Sequence, residues 1–254
     1  MKIQNILISQ PKPVDFEKSP YAEIVKKHGV NIDFVKFFSI EGVSGADFRK
    51  SRINILDYTA IVLMSKNAVD HFFRITKELR TEIPDTMKYF CINEATALYL
   101  QRYITYRKRK IFFSKSNINE LVEITVKHKA EKYLLPTADV HGGYIASLLS
   151  ENNINFSPAQ MFQSVSVNLK EQIDLNKYQL IVIFSPYGLH SLLENYPDFK
   201  NREISIAALG KNVACSIVNS GLSLSFMAPT PESPSITTAI DNHLKKVNKG
   251  TKKH

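Results

Sequence analysis

The sequence predicts an α/β fold of two similar parallel-sheet α/β domains joined by a two-stranded extended linker. The first observation behind this is a repeated design. Thr59 to Phe73, TAIVLMSKNAVDHFF, returns as Leu180 to Leu193, LIVIFSPYGLHSLL, with Ser65 and Ser185 in the same place. The two copies stand about one domain length apart. The second observation is the character of the runs IVLM and IVIF. They are too short to span a membrane and do not alternate in polarity, which marks strands buried on both faces of a parallel sheet. The third is the regular succession of short apolar strands and amphipathic helices along the chain, the pattern of βαβ units.

Taken in order, residues 3 to 10 form a first strand ending at Pro11, and Tyr21 to Lys27 a helix closed by His28 and Gly29. Val30 to Phe38 is extended and mixed in polarity, the first linker. Ser39 to Ser51 carries two glycines and turns into a helix that leads to the central strand at 60 to 64. A helix from Ala68, a strand Lys88 to Ile92, a helix Ala95 to Tyr103, a strand around Phe112 and Phe113, and a helix Ile118 to Lys127 follow. A buried strand, Lys132 to Leu135, and a helix from Gly143 to Leu149 come next. Together they read YLLPTADVHGGYIASLLSENNI, which repeats the opening unit of strand, proline, polar loop, tyrosine and helix. Phe156 to Val167 is again extended, the second linker. The strands at 180 to 184, 204 to 208 and 222 to 226 then alternate with helices, the last from Ser235 to Val247.

Two linkers imply a discontinuous first domain, residues 1–33 with 169–247, and an inserted second domain, residues 44–155. Residues 34–43 and 156–168 are the linker strands between them, and residues 248–254 form a basic disordered tail. A two-strand connection of this kind serves as a hinge, and an interdomain cleft is a favoured place for a ligand.

Composition narrows the function. The 254 residues carry 44% hydrophobic content and a formal net charge of +9. No run reaches the ~18 apolar residues that span a bilayer, and the N-terminus lacks a signal-peptide core, so a cytoplasmic protein without membrane attachment is expected. The basic block Arg107 to Lys110 and the tail from Lys245 to Lys253 lack a recognition helix or stacking motif, so nucleic acid is not the expected partner. Cys91 and Cys215 both lie in apolar stretches and are expected to be buried thiols. Without metal-ligand spacing among the cysteines and seven histidines, no metal is expected. The positive charge then suits an acidic small molecule. A serine that ends a buried strand and caps the next helix leaves backbone N–H groups facing the crevice where α/β sheets bind ligands. Ser65 and Ser185 are the candidates, and simple helix capping is compatible with that role.

Beyond these local readings, the serine-ended strands IVLMSKNAV and IVIFSPYGL, the segments CINEATALYL and LLPTADV, the run IAALGKNVACSIVNSGL and the ending APTPESPSITTAI occur in an order and spacing that resembles the uroporphyrinogen-III synthase family. The resemblance covers the chain up to its basic tail, and EGVS followed by FRKSRINILDYTAIVLMS is similar to the Bacteroidetes branch. It implies a carbon–oxygen lyase that closes hydroxymethylbilane, a linear tetrapyrrole with eight carboxylates, by expelling water and inverting the last pyrrole ring. It implies no metal or organic cofactor and, with that substrate, hand-over from hydroxymethylbilane synthase; the lack of a long exposed apolar stripe in the sequence points to a monomer. Carried onto this sequence, it assigns substrate binding to Ser65, Lys66 and Asn67, to Ser185, Pro186, Tyr187 and Gly188, and to Thr96, Phe162 and Thr230.

This chain departs from the family pattern in places. The second linker usually carries a tyrosine thought to protonate the departing hydroxyl, and here that position is Phe162, which has no proton to give. Tyr187, Tyr144 or a bound water is then the substitute, or the acid is dispensable, or the enzyme is slow. Asn93 stands where glycine is common, and Ser9 to Pro11 replaces a TRP-like start. A non-catalytic relative that binds a tetrapyrrole or other polycarboxylate is the alternative reading.

Overall fold

The computed structural model describes residues 2–138 and 141–250. Its strands and helices are, in chain order, β1 (Asn5–Ile8), α1 (Pro20–His28), β2 (Asn31–Phe34), β3 (Phe38–Gly42), α2 (Gly45–Lys50), β4 (Ala60–Leu63), α3 (Lys66–Leu79), β5 (Lys88–Cys91), α4 (Glu94–Tyr99), β6 (Ile111–Phe113), α5 (Ile118–Lys127), β7 (Tyr133–Thr137), α6 (Gly143–Glu151), β8 (Phe156–Gln160), β9 (Phe162–Ser166), β10 (Leu180–Ile183), α7 (Pro186–Asn195), β11 (Ser205–Leu209), α8 (Lys211–Asn219), β12 (Leu224–Ala228) and α9 (Ile236–Gly250). The chain divides into two compact units. One comprises the described residues up to Ser39 with those from Val165, and the other is Ile40–Ser164.

Each unit is built on a five-stranded sheet in which every pairing is parallel. The orders are β2-β1-β10-β11-β12 and β8-β7-β4-β5-β6. Position for position these are the same sheet, entered by the chain at different points. The pair β1-β2 of the first unit corresponds to β7-β8 of the second, which explains why LLPTADV repeats the opening of the sequence. The serine-ended runs are the central strands, β4 and β10, and all four residues of each are buried. Alternate residues feed opposite faces. Ile61 and Leu63 enter one core while Ala60 and Val62 enter the other, and Ile181 and Ile183 oppose Leu180 and Val182 in the same way. Each such Ile, Leu or Val side chain contributes about 1.5–3 kcal/mol, so both faces must be covered by helices.

The stretches read from sequence as linkers each divide in two. Residues 31–34 and 156–160 are edge strands, β2 on β1 and β8 on β7, and belong to the unit sheets. Only β3 and β9 form a separate two-stranded sheet. An edge strand also shows partial alternation and mixed polarity, since one side of it is uncovered, so local pattern does not separate it from a connector.

Each unit grips its end of this ribbon with the helix that follows its serine. In the second unit Val43 N–H donates to the Met161 carbonyl at 3.0 Å, and the Arg74 guanidinium of α3 donates to both carbonyls, Val43 at 2.7 Å and Met161 at 2.9 Å. Gly42 leaves room for it, because a Cβ there would stand 2.6 Å from that guanidinium and displace it. In the first unit Val167 N–H donates to the Phe37 carbonyl at 3.2 Å. Ser191 of α7 donates to the same carbonyl, and Asn195 donates to that of Val167 at 2.9 Å.

Two expectations are corrected. Cys91 is buried, and burial pushes its thiol up to about 12, but Cys215 is exposed. α8 buries Val213, Ala214 and Ile217, which turns Cys215 outward in spite of its apolar neighbours in sequence. The final helix also runs to Gly250, into the segment expected to be disordered from 248, while residues 251–254 lie outside the described residues. Asn248 explains the extension, because its side chain accepts from Ile3 N–H at 3.1 Å and ties the helix to the N-terminal strand.

Candidate active site

Both central strands end as their sequence requires. Ser65 accepts from Ala68 N–H at 3.1 Å and Ser185 from Gly188 N–H at 3.0 Å, so each hydroxyl caps its helix. In β4-α3 and β10-α7 alike, this bond takes one of the first-turn donors and leaves the others for water or a ligand. Gly188, expected to offer its amide to substrate, is engaged in the cap. The amide of Tyr187 lies in the same first turn.

The order of each sheet reverses next to these serines. Counted within the first unit, the strands run 2-1-3-4-5, and the switch lies between β1 and β10. In the second unit it lies between β7 and β4. Ligands of open α/β sheets bind outside the carboxyl ends of strands at such a switch point. In the second unit that place is a crevice of about 250 Å³, lined on one side by Met64, Ser65 and Ala68 and on the other by Leu135 to Ala138, with Gly142, Tyr144 and Phe162 among its further walls. In the first unit Ser9 occupies the corresponding position. Its side chain is 7% exposed and accepts from Phe184 N–H at 3.0 Å, bonding the ends of β1 and β10 together.

Tyr144 is presented by a tight turn. Gly142 and Gly143 both have positive φ, +78° and +62°, and a Cβ on Gly142 would meet Ala146 at 2.9 Å and Leu135 at 3.0 Å. The backbone therefore crosses close to the strand end, and Tyr144 at the start of α6 stays 67% exposed on the crevice wall. Across from it, Phe162 is buried and stacked on His71, with ring centroids 5.0 Å apart. His71 takes an Arg74 N–H on Nδ1 at 3.2 Å. Burial, and then the Arg74 cation, lower its pKa against the opposing pull of Asp70, so its ring is neutral near pH 7.

The structure brings together only part of the expected set. Ser65 and Phe162 share the crevice. Lys66 and Asn67 are exposed on the first turn of α3. Thr96 is 3% exposed and lies inside α4 instead of capping it. The cap of α4 is Asn93, whose side chain accepts from Thr96 N–H at 2.8 Å. The Asn-x-x-Thr spacing at the end of a buried strand carries that signal, and it accounts for the asparagine at this position. Exchanging Asn93 for alanine is expected to cost about 1 kcal/mol and for glycine only a few tenths. Thermal denaturation of the two variants checks this ranking. Tyr187 packs edge-on against Phe38, centroids 5.4 Å apart, and lies beside His190. Pro186 is the first residue of α7 and faces a groove shared with Ser216 and Ser220. Thr230 lies beyond β12, the edge strand two removed from β10, where its hydroxyl accepts from Ser233 N–H at 3.1 Å.

Among the described residues no three His, Cys, Asp or Glu side chains are grouped to hold a metal ion, and no helix is long and apolar enough to cross a membrane. The assembly available for chemistry is therefore a set of backbone donors, hydroxyls and one phenol at a sheet switch point.

Comparison with known proteins gives this arrangement a family. The chain aligns over 96% of its length with all of the uroporphyrinogen-III synthetase structure of Helicobacter pylori, at 13% identity and a TM-score of 0.57. Over 99% of its length it aligns with all of a mutant uroporphyrinogen III synthase from the extremely thermophilic bacterium Thermus thermophilus, at 10% identity and a TM-score of 0.56. At such identities the likeness is one of fold. Among proteins of curated function none matches the chain significantly. The family model for uroporphyrinogen-III synthase HemD matches residues 19–238, so the chain belongs to the uroporphyrinogen-III synthase family of tetrapyrrole biosynthesis.

Proposed function

We propose that this chain is an active carbon–oxygen hydro-lyase that closes hydroxymethylbilane into uroporphyrinogen III, and that Tyr144 supplies the proton lost with the hydroxyl. The observation that carries the reading is the crevice at the switch point of the second unit, where Ser65, Phe162 and Tyr144 line one space. The substrate is a polycarboxylate. First-turn amides capped by Ser65 and Ser185 suit its acidic arms, because N–H groups at a helix start already favour negative charge. Lys66 and Asn67, the Tyr187 amide beside Pro186 and Gly188, and Thr230 extend these contacts. Thr96 supports the α4 start from within the core, and Phe162 gives an apolar wall for a pyrrole ring.

Loss of water needs a proton on the leaving oxygen. The C–O bond breaks with its electron pair on oxygen, which takes the phenolic proton of Tyr144 and departs as water. The pyrrole nitrogen stabilises the resulting methylene cation. That cation attacks the last ring at its substituted α-carbon, and the bond from that carbon to its original methylene breaks. This leaves a second methylene cation, stabilised by its own pyrrole nitrogen. It closes on the free α-carbon of the now inverted ring, whose proton, lost on rearomatisation, returns to the phenolate. Phenols are far more acidic than aliphatic hydroxyls, so Tyr144 is suited to this step and Ser65 is not. Tyr187, packed on Phe38 and His190 in the first unit, takes the binding role. Folding the substrate so that its ends meet is a matter of positioning, which supplies up to ~7 kcal/mol or more.

The enzyme works in the cytoplasm as a monomer that takes its unstable substrate from hydroxymethylbilane synthase. The large exposed apolar residues that support the monomer, such as Val14, Leu56, Val126 and Val218, are scattered along the chain. A coupled assay tests the function: hydroxymethylbilane is generated in situ, products are oxidised, and the uroporphyrin I and III isomers are separated by chromatography. A dominant III isomer is expected from the wild type, with Phe162→Tyr changing the rate less than tenfold. Only the I isomer, the product of spontaneous closure, would leave a binding protein in place of an enzyme.

A further inference from the structure

Beside the Ser65 crevice, α3 and α4 hold a charged aromatic cluster that the capped helix starts do not account for. Lys66, the residue after the cap, lies with Nζ 5.3 Å from the centroid of the Tyr99 ring. The guanidinium of Arg102 lies 5.0 Å from the same centroid and donates to the Tyr99 hydroxyl. Asp70 follows Lys66 by four residues, the spacing at which a helical ion pair ordinarily forms. That pair is absent. The Asp70 carboxylate instead accepts from two phenols, Tyr99 at 3.1 Å and Tyr103 at 2.5 Å. Tyr103 is itself held by stacking on Phe73, with centroids 4.5 Å apart.

The consequence is electrostatic. The Asp70 carboxylate is hydrogen-bonded by neutral phenols, and among the described residues neither Lys66 nor Arg102 forms an ion pair with a carboxylate. Both are exposed, and both are ordered over one ring whose own hydroxyl is fixed. Two ordered cations that are not ion-paired lose less side-chain freedom when an anion arrives than two free ones. The Arg102 fork also matches the geometry of a carboxylate.

We propose that Lys66 and Arg102, set on Tyr99, form a carboxylate-binding station that takes one acidic side arm of the tetrapyrrole. This rests on the function proposed above and adds a subsite to it. Arg102 is a specificity residue that the sequence did not single out: three residues after Tyr99 it shares that ring's helical face, but its link through the Tyr99 hydroxyl to Asp70 of α3 exists only in the folded chain.

The test uses uroporphyrin III, the air-stable oxidised form of the product, as the probe, with binding read from porphyrin fluorescence. Lys66→Gln and Arg102→Gln are each expected to raise Kd about 5–10-fold, and the double variant about 50-fold. Arg102→Lys should stay within threefold of wild type. In the coupled assay the double variant should raise KM by a similar factor with kcat within threefold, and its thermal midpoint should match wild type because both side chains are exposed. A wild type that makes the III isomer, with a double variant that binds the porphyrin unchanged, would overturn the station alone. A wild type that makes only the I isomer yet binds the porphyrin through Lys66 and Arg102 would overturn the catalytic reading and leave the station standing. Absence of porphyrin binding by wild type would overturn the station, while the isomer formed would still decide the catalytic reading.

Discussion

Replacing Tyr144 with phenylalanine is expected to lower kcat for formation of the III isomer about 100-fold, the typical contribution of a positioned general acid. The substitution removes one oxygen and keeps the ring. Tyr144 is 67% exposed, so folding and the shape of the crevice should be unaffected and KM should change less than threefold. Single-turnover measurement with hydroxymethylbilane generated in situ separates the two parameters. The same experiment on Tyr187→Phe should move KM more than kcat, since that ring packs on Phe38. A rate for Tyr144→Phe within threefold of wild type would remove the phenol from the mechanism and point to water as the proton source. The III isomer should still dominate what the variant makes, because the choice of ring inversion depends on how the chain is folded, and the acid affects only how fast the hydroxyl leaves.

The Asp241→Asn substitution should lower stability at pH 7 by about 2 kcal/mol, at the modest end for breaking a largely buried charge cluster. For a chain of this size that corresponds to a drop in Tm of about 4–8 °C. Asp241 on α9 meets three partners: the His28 ring at 2.6 Å, Lys27 at 2.9 Å and Lys245 at 2.6 Å. Its side chain is 18% exposed. Burial works to raise its pKa, but the hydrogen bonds from His28, Lys245 and Lys27 outweigh that and hold the carboxyl well below the usual range. The sign of the pH effect follows. In the unfolded chain the group titrates near ~3.9, so the folded state binds the proton less readily, and the stabilisation is complete above about pH 5. It is lost as pH falls through the lower folded value. Urea denaturation of wild type and variant at pH 7 and pH 3 should show a difference that shrinks on acidification. The cluster joins α1 to α9, the two ends of the chain in one unit, so its loss should also speed exchange of the Ile3 amide.

Much of the architecture can be read from residues alone, and the reasons differ from place to place. The caps at Ser65 and Ser185 depend on four consecutive residues and a buried strand before them, and they form as written. The central strands declare themselves because burial on both faces removes polar residues from both. The repeat of the opening unit at LLPTADV corresponds to equivalent positions of β1 and β7 in the two sheets. By contrast, β2 and β8 read locally as connectors, since an edge strand and a free ribbon expose the same mixture of side chains. Thr96 suits a cap by residue type, whereas Asn93 three residues earlier reaches the vacant amide first. The apolar neighbours of Cys215 in sequence suggest burial, but which side of α8 faces the sheet is decided by Val213, Ala214 and Ile217 together.

What the sequence determined by itself is the set of local decisions: strands buried on two faces, serines that end them, helices that start there, and a positive chain suited to an acidic ligand. These are decided within one or two turns, by backbone donors that need a partner and by apolar side chains that leave water. Tertiary structure alone decided the order of the strands, and with it the place of the switch point and the crevice there. It also set Tyr144 and Phe162 on the walls of that crevice, Arg74 across both strands of the ribbon, and Asp70 of α3 against Tyr99 and Tyr103. Each of these juxtapositions depends on elements that meet only in the folded chain, and no local periodicity records it, because the contact exists only once the two sheets have chosen their neighbours.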